Sequence, residues 1–234
     1  TAEASLTLRY APGESFVNSK QRRIPVSLDA PIFTLTHAMG FKGVLGGEYS
    51  FNRTEASVWK RFWLPSSWGK IDCSIKAGAE WNTVPFPLLI LPEANLSYIT
   101  QRETFNLINN MEFLNDRFAS VSLSYDMNGK LFNRIPLIKN LKWREMFRVR
   151  ALWGTLTDKN NPFKSSNPDL FRFPMRDGKF TSFVMDPKIP YVEASVGIYN
   201  IFKLLHIEYV HRFTYRDNPG INKNGVRFMV LMAF

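Results

Sequence analysis

The sequence contains one cysteine, Cys73, and no apolar run approaching the roughly 18 residues that a transmembrane helix needs. A single cysteine excludes an internal disulfide, and with it the small disulfide-stabilised scaffolds. Without a long apolar run, the chain is either soluble or crosses a membrane as β-strands. The first residue is not methionine, and no charged segment followed by an apolar core begins the chain. We therefore expect a mature protein or a fragment of a longer one.

Aromatic residues and positive charge, in contrast, are abundant. Aromatic side chains make up 15% of the 234 residues, and the formal net charge is +10. The aromatic content is typical of a membrane β-barrel with aromatic girdles at both interfaces. The charge favours contact with an anionic partner such as nucleic acid, lipid head groups or lipopolysaccharide, but charge alone does not choose among them.

Apolar and polar residues alternate with period two along most of the chain, which is the pattern of β-strands with two different faces. Residues 48–63 are also strand-like, but their alternation slips at residues 52–55, which predicts either a β-bulge there or a register that the pattern does not reveal. No segment predicts a helix longer than two turns. The clearest alternation covers residues 5–10, 33–39, 71–81, 119–126, 146–153, 192–198 and 206–215.

Alternation by itself fits both a soluble β-sandwich and a membrane barrel. In the sandwich the apolar face packs into a core and the polar face meets water, whereas in the barrel the apolar face meets lipid and the polar face lines the lumen. Three features favour the membrane: long strands, aromatic residues near strand ends, and connections of two length classes. We therefore predict an all-β fold, an antiparallel transmembrane outer-membrane β-barrel. Residues 1–234 would form a single C-terminal β-barrel region. The aromatic residues near predicted strand ends are Trp63, Trp68, Trp81, Tyr199, Tyr215 and Phe234.

The chain ends in GVRFMVLMAF, which places five apolar residues on one face and an aromatic residue last. Outer-membrane barrels end in this way, and their insertion machinery reads the final strand. We predict a C-terminal targeting strand, and the barrel assembly machinery as a partner during insertion. Its residues are Val226, Phe228, Val230, Met232 and Phe234.

Longer segments carry two resemblances. YVEASVGIYNIFKLLHIEYVHRFTYRDNPGINKNGVRFMVLMAF resembles the last three strands of the BamA/TamA surface-antigen superfamily. VPFPLLILPEAN, FNLINNMEFLNDRFASV, NRIPLIKNLKWRE and YVEASVGIYNIFKLL resemble a Bacteroidota outer-membrane family of unknown function that carries an upstream carboxypeptidase-regulatory-like domain. The superfamily's loop motif with an Arg-Gly pair is missing from SYITQRETF, where Arg102 is the nearby candidate. That departure argues against membrane-protein insertase activity.

The resemblance implies about sixteen strands, so this chain would supply nine to ten strands of a larger barrel. The rest would lie upstream of Thr1, unless the chain closes alone as a small barrel. If Phe234 is periplasmic, residues 64–68, 131–142 and 200–205 are periplasmic turns. Residues 103–115 fit either a further strand or part of a folded loop. The extracellular loops would then be residues 82–102, 158–190 and 217–224.

Catalytic and metal chemistry find little support. His206 and His211 are five apart on one predicted strand and point to opposite faces, so they cannot share a metal ion. Ser195 and His206 lie on neighbouring predicted strands without a hydrolase motif around them. We expect no enzyme activity, cofactor or metal. Buried carboxylates should pair with arginines in a lumen charge network. The residues of this network are Asp126, Arg148, Arg150, Glu193, Glu208 and Arg212.

The basic cluster Lys20, Arg22 and Arg23 does not predict nucleic-acid binding, because the aromatic residues follow strand period and not a basic surface. The expected partners are outer-membrane lipid, lipopolysaccharide and other envelope proteins. The expected location is the cell outer membrane. The predicted function is envelope biogenesis or transport; the alternative is a structural membrane anchor or interaction subunit without transport or catalysis.

Overall fold

The computed structural model describes residues 1–101, 103–164, 170, 175–176 and 178–230, and shows an all-β chain. Nine strands form one antiparallel sheet, and two short ribbons lie outside it. A four-residue helix, α1 (Ile138–Leu141), interrupts one connection. The strands are β1 (Ala2–Tyr10), β2 (Phe16–Asn18), β3 (Arg23–Pro25), β4 (Ile32–Phe41), β5 (Phe51–Trp63), β6 (Lys70–Glu80), β7 (Arg117–Asp126), β8 (Arg144–Thr155), β9 (Met175–Arg176), β10 (Lys179–Phe180), β11 (Tyr191–Ile201), β12 (Leu205–Arg212) and β13 (Asn224–Val230).

The sheet is a meander in which each strand pairs with the next long strand of the chain. Its order is β1-β4-β5-β6-β7-β8-β11-β12-β13, while β2 pairs with β3 and β9 with β10. Within the described residues, β1 and β13 are the two edges and do not pair with each other, so these strands form no closed ring. No described helix has the length and apolar character needed to cross a bilayer.

The predicted bulge in β5 is wrong, because the strand pairs in unbroken register with β4 and with β6. The alternation slips for another reason. Thr54 lies on the apolar face, where it bonds His37 Nδ1 at 2.9 Å and accepts a hydrogen bond from Trp81 Nε1 at 2.9 Å. The register irregularity lies instead between Ile198 and Ile201, beside the β11–β12 turn.

The two faces of the sheet have the reverse of a soluble protein's polarity. On the outer face, Leu123 and Val149 are 43% and 46% exposed. On the inner face, Arg150 and Glu193 are each 2% exposed. The strand alternation thus directs its charged residues inward and its apolar residues to the surface.

A long connection covers part of the inner face. Residues 81–116, here called the inner loop, join β6 to β7 and fold back over the sheet. Phe105, Ile108 and Phe113 of the loop pack against Leu152 and Tyr191 of the nine-stranded sheet, here called the wall. The fold therefore buries its apolar core between loop and wall. Residues 103–115 belong to this loop and not to a further sheet strand.

Connections leave the sheet at two ends. The loop end carries the described residues of the connections 42–50, 81–116, 156–190 and 213–223. The turn end carries residues 11–31, 64–69, 127–143 and 202–204. The predicted extracellular and periplasmic segments thus fall on opposite ends of the sheet, as an antiparallel meander requires.

The predicted targeting strand corresponds to β13. Val226, Phe228 and Val230 alternate as exposed residues on its outer face. Met232 and Phe234 lie outside the described residues, as does Arg102 of the inner loop. The edge of β13 is partly occupied, because Phe228 donates its N–H to Tyr98 O and accepts from Thr100 N, each at 2.9 Å.

Candidate functional site

Charged side chains on the inner face hold the inner loop to the sheet. They come from β8, β11 and β12, whose alternation places every second residue inward. Buried charges need partners, because removing an ion from water without compensation costs on the order of several kcal/mol. The partners here come partly from the wall and partly from the loop.

Glu193 of β11 binds the backbone of the inner loop. Its carboxylate accepts hydrogen bonds from the N–H groups of Asn106 at 2.8 Å and Leu107 at 3.0 Å. It also accepts from Tyr191 Oη at 2.9 Å and pairs with Arg150 at 3.2 Å. One buried carboxylate therefore has four donors from three elements, an arrangement that both compensates its charge and fixes the loop.

Arg212 of β12 forms the second attachment. Its guanidinium pairs with Glu112 of the inner loop at 2.6 Å, and the two side chains are 0% and 1% exposed. Arg212 also donates to Leu107 O at 3.2 Å and Tyr215 O at 2.7 Å. Burial raises the pKa of the Tyr215 hydroxyl, which donates to Ile189 O at 2.6 Å. The planar fork of arginine suits this set of divergent acceptors.

A third pair joins strands of the wall only. Arg148 of β8 binds Glu208 of β12 at 2.9 Å and 3.0 Å. Ser195 donates to the same carboxylate, and His206 Nε2 lies 3.3 Å from it. Ser195 and His206 thus both contact Glu208. Their hydrogen bonds go to this carboxylate and not to each other, whereas a nucleophile and its base would be hydrogen-bonded together.

Of the six residues predicted to form a charge network, the structure places Arg148 with Glu208 and Arg150 with Glu193. Arg212, expected to pair with a strand carboxylate, pairs with Glu112 of the loop instead. Asp126 lies apart at the turn end, because it closes β7 there. It accepts from Tyr199 Oη at 2.6 Å and lies 3.7 Å from Lys70 Nζ.

Sequence reasoning missed two buried carboxylates of the inner loop, Glu112 and Asp116. Asp116 accepts hydrogen bonds from Thr157 N at 3.1 Å and Asn160 Nδ2 at 2.9 Å, and so ties the loop to the connection after β8. The clue available in the sequence is that the loop stretch ETFNLINNMEFLND carries three acidic residues and no basic one. Such a segment needs cations from elsewhere if it is buried.

Gly154 of β8 permits the close approach of the loop. A Cβ at this position would collide with the side chain of the buried Asn115. The wall is therefore shaped to accept the loop as well as charged to bind it.

The turn-end half of the inner face is open. A cavity of about 380 Å³ lies there, lined by Arg61, Asp72, Ser124, Tyr199 and His206 among others. Arg61 of β5 and Asp72 of β6, on neighbouring strands that line this cavity, form an ion pair at 2.6 Å. Among the residues that the structure describes, no group of three His, Cys, Asp or Glu side chains could hold a metal ion. The cavity is a polar vestibule beneath the inner loop.

Comparison with known proteins identifies a family. No curated protein matches the chain. The model of the family of unknown function (DUF5686) C-terminal domain matches residues 1–163, which is more than half of the 234 residues. The chain therefore belongs to the family of unknown function (DUF5686) C-terminal domain.

Proposed function

We propose that this chain is the membrane-spanning region of an outer-membrane β-barrel protein that acts in envelope biogenesis or controlled transport. The observation that carries this proposal is the inverted polarity of the sheet. The nine strands of the sheet expose apolar side chains outward, and β6, β8, β11 and β12 bury arginine, glutamate or histidine inward. In water this arrangement would leave a large apolar surface exposed, whereas in a bilayer the same surface meets lipid.

The proposal includes further strands. Among the described residues, β1 has no second neighbouring strand and β13 is paired beyond β12 only at Phe228, and each backbone group left unpaired in lipid costs several kcal/mol. We infer that additional strands complete the barrel, as in the surface-antigen superfamily that the C-terminal segment resembles. The Bacteroidota origin and the upstream carboxypeptidase-regulatory-like domain are part of the same inference.

A second candidate function is supported by the inner loop. A loop held by Glu193 and Arg212 fills the loop-end half of the inner face, which is the geometry of a barrel closed at rest. A permanently closed barrel would serve as a membrane anchor for other domains and envelope partners. Ion conductance across a bilayer distinguishes the two candidate functions. A transport barrel conducts when the inner loop is released during its working cycle, whereas an anchor does not conduct.

The membrane environment is tested by Leu123→Arg on the outer face of β7. In a bilayer this change should lower the free energy of unfolding by about 2–4 kcal/mol, because a cation then faces hydrocarbon. On a water-exposed surface the same change would alter stability by less than about 0.5 kcal/mol. Urea titration of the full-length protein in lipid vesicles measures the difference, and density-gradient fractionation should place the wild-type protein with outer membranes.

Leu45→Arg is the matched control. Leu45 is 95% exposed and lies in the connection after β4, outside the strands. We expect this variant to unfold like the wild type. Equal, small effects of both substitutions would contradict the membrane assignment.

A further inference from the structure

The turn end of the sheet combines exposed apolar side chains with uncompensated positive charge. Residues 127–143, which join β7 to β8, contain four basic residues and neither Asp nor Glu. The adjoining residues 202–204 add Lys203, and residues 64–69 carry no charged residue. The basic residues of the longer connection are Lys130, Arg134, Lys139 and Lys142.

The same connections expose large apolar side chains toward solvent. Leu137 is 82% exposed and Phe202 is 80% exposed, in two turns of the same end. Leu131, Ile135 and Leu141 are also exposed. Basic residues interleaved with exposed apolar ones describe an element that lies in the head-group region of a membrane, with its apolar side chains at the acyl boundary.

One aromatic ring lies beside two of these cations. Lys130 Nζ and the Arg134 guanidinium lie 5.1 Å and 5.9 Å from the Trp68 ring centroid. A tryptophan with adjacent cations is typical of the interface between hydrocarbon and head groups. The turn end therefore combines a tryptophan, exposed apolar side chains and cations, as such an interface requires.

We propose that residues 127–143, together with residues 64–69 and 202–204, form a binding surface for anionic glycerophospholipid head groups. This rests on the proposed membrane-spanning function, which sets the leaflet: with the turn end periplasmic, the surface meets the periplasmic leaflet. Charge complementarity selects an anionic head group, since the four cations have no carboxylate within their own connection. The inner loop at the opposite end carries acidic residues in excess, which disfavours the same ligand there.

The test measures lipid binding to the full-length protein in detergent micelles, titrated with phosphatidylglycerol and separately with phosphatidylcholine and lipopolysaccharide. Wild-type protein should bind phosphatidylglycerol at least about 10-fold more tightly than phosphatidylcholine, with a preference that weakens as salt is added. Changing Lys130, Arg134, Lys139 and Lys142 together to Gln should weaken phosphatidylglycerol binding by at least about 10-fold and remove the preference over phosphatidylcholine, because these cations supply the attraction to an anionic head group. Native mass spectrometry counts the bound lipids.

The matched control removes four exposed cations from the opposite, loop end. Lys42, Lys164, Lys179 and Lys188 changed together to Gln alter net charge equally and should weaken phosphatidylglycerol binding by less than about 3-fold. Equal losses in both quadruple variants, tighter binding of lipopolysaccharide than of phosphatidylglycerol, or no preference over phosphatidylcholine would overturn the proposal.

A separate variant keeps this outcome distinct from failure of the membrane assignment. Leu137→Ser with Phe202→Ser should weaken binding of phosphatidylglycerol and phosphatidylcholine alike, because it removes only the apolar contact. An unchanged affinity for both lipids would overturn the interfacial role of these side chains. If Leu123→Arg proves neutral, the barrel assignment fails, while head-group selectivity at the turn end is still measured by these titrations.

Discussion

Replacing Arg212 with Met is expected to lower the free energy of unfolding by about 3–5 kcal/mol, because Glu112 would be left buried without its partner. The pair is almost fully buried, and Arg212 also binds three carbonyl oxygens that no apolar side chain could satisfy. The loss should be measured by urea titration in lipid vesicles, with tryptophan fluorescence as the reporter. A loss below about 1 kcal/mol would contradict a structural role for this pair.

Two further variants isolate the interaction. Glu112→Gln combined with Arg212→Met should unfold less readily than Arg212→Met alone, since the stranded charge is then removed. Lys164→Met is the control, because Lys164 and Asp158 form an exposed pair 3.1 Å apart. Exposed pairs contribute about 0–1 kcal/mol, so this variant should resemble the wild type.

Replacing Glu193 with Ala should release the inner loop. The carboxylate is the acceptor for the N–H groups of Asn106 and Leu107, and it compensates Arg150. Losing a buried charged acceptor that holds these groups costs about 3 kcal/mol or more, which corresponds to about 100-fold faster opening of the loop. Hydrogen exchange at Asn106 and Leu107 should rise by that factor, and planar-bilayer conductance should appear where the wild type shows little.

The control for this experiment is Glu145→Ala. Glu145 is also a buried strand carboxylate that accepts a backbone N–H, but its partner is Leu131 at the turn end, 2.7 Å away. This variant should lose stability without raising exchange in the inner loop. Faster exchange at Asn106 in both variants would mean that the loop responds to general destabilisation. Unchanged exchange in Glu193→Ala would show that the carboxylate does not hold the loop.

The strands could be predicted because period-two alternation is a local property. The alternation predicted residues 33–39 and 119–126, and the corresponding strands are β4 (Ile32–Phe41) and β7 (Arg117–Asp126). The bulge prediction in β5 failed because polar Thr54 occupies the apolar face, where it bonds His37 and Trp81. A side chain's partners on neighbouring strands are not visible in its own strand.

The inner loop shows the limit of the same reasoning. Alternation indicates that Arg212 points inward, but it cannot identify a partner 100 residues away on a connection without regular structure. Glu112 was therefore not predicted. Asp126 was grouped with the network, although it ends its strand at the turn end of the sheet, away from Arg212. The charges of the inner face could be recognised from sequence, whereas their role in holding a loop required the fold.

The central claim is that the outer face of the sheet lies in lipid and the inner face does not. Spin labels placed singly along β7 test it most directly, at Val121, Ser122, Leu123 and Ser124, in a Cys73→Ser background that removes the native thiol. In lipid vesicles, labels at Val121 and Leu123 should be accessible to oxygen and protected from a water-soluble nickel complex, and labels at Ser122 and Ser124 should lack that oxygen preference. Equal access of the nickel complex to Leu123 and to the fully exposed Leu45 would contradict the account.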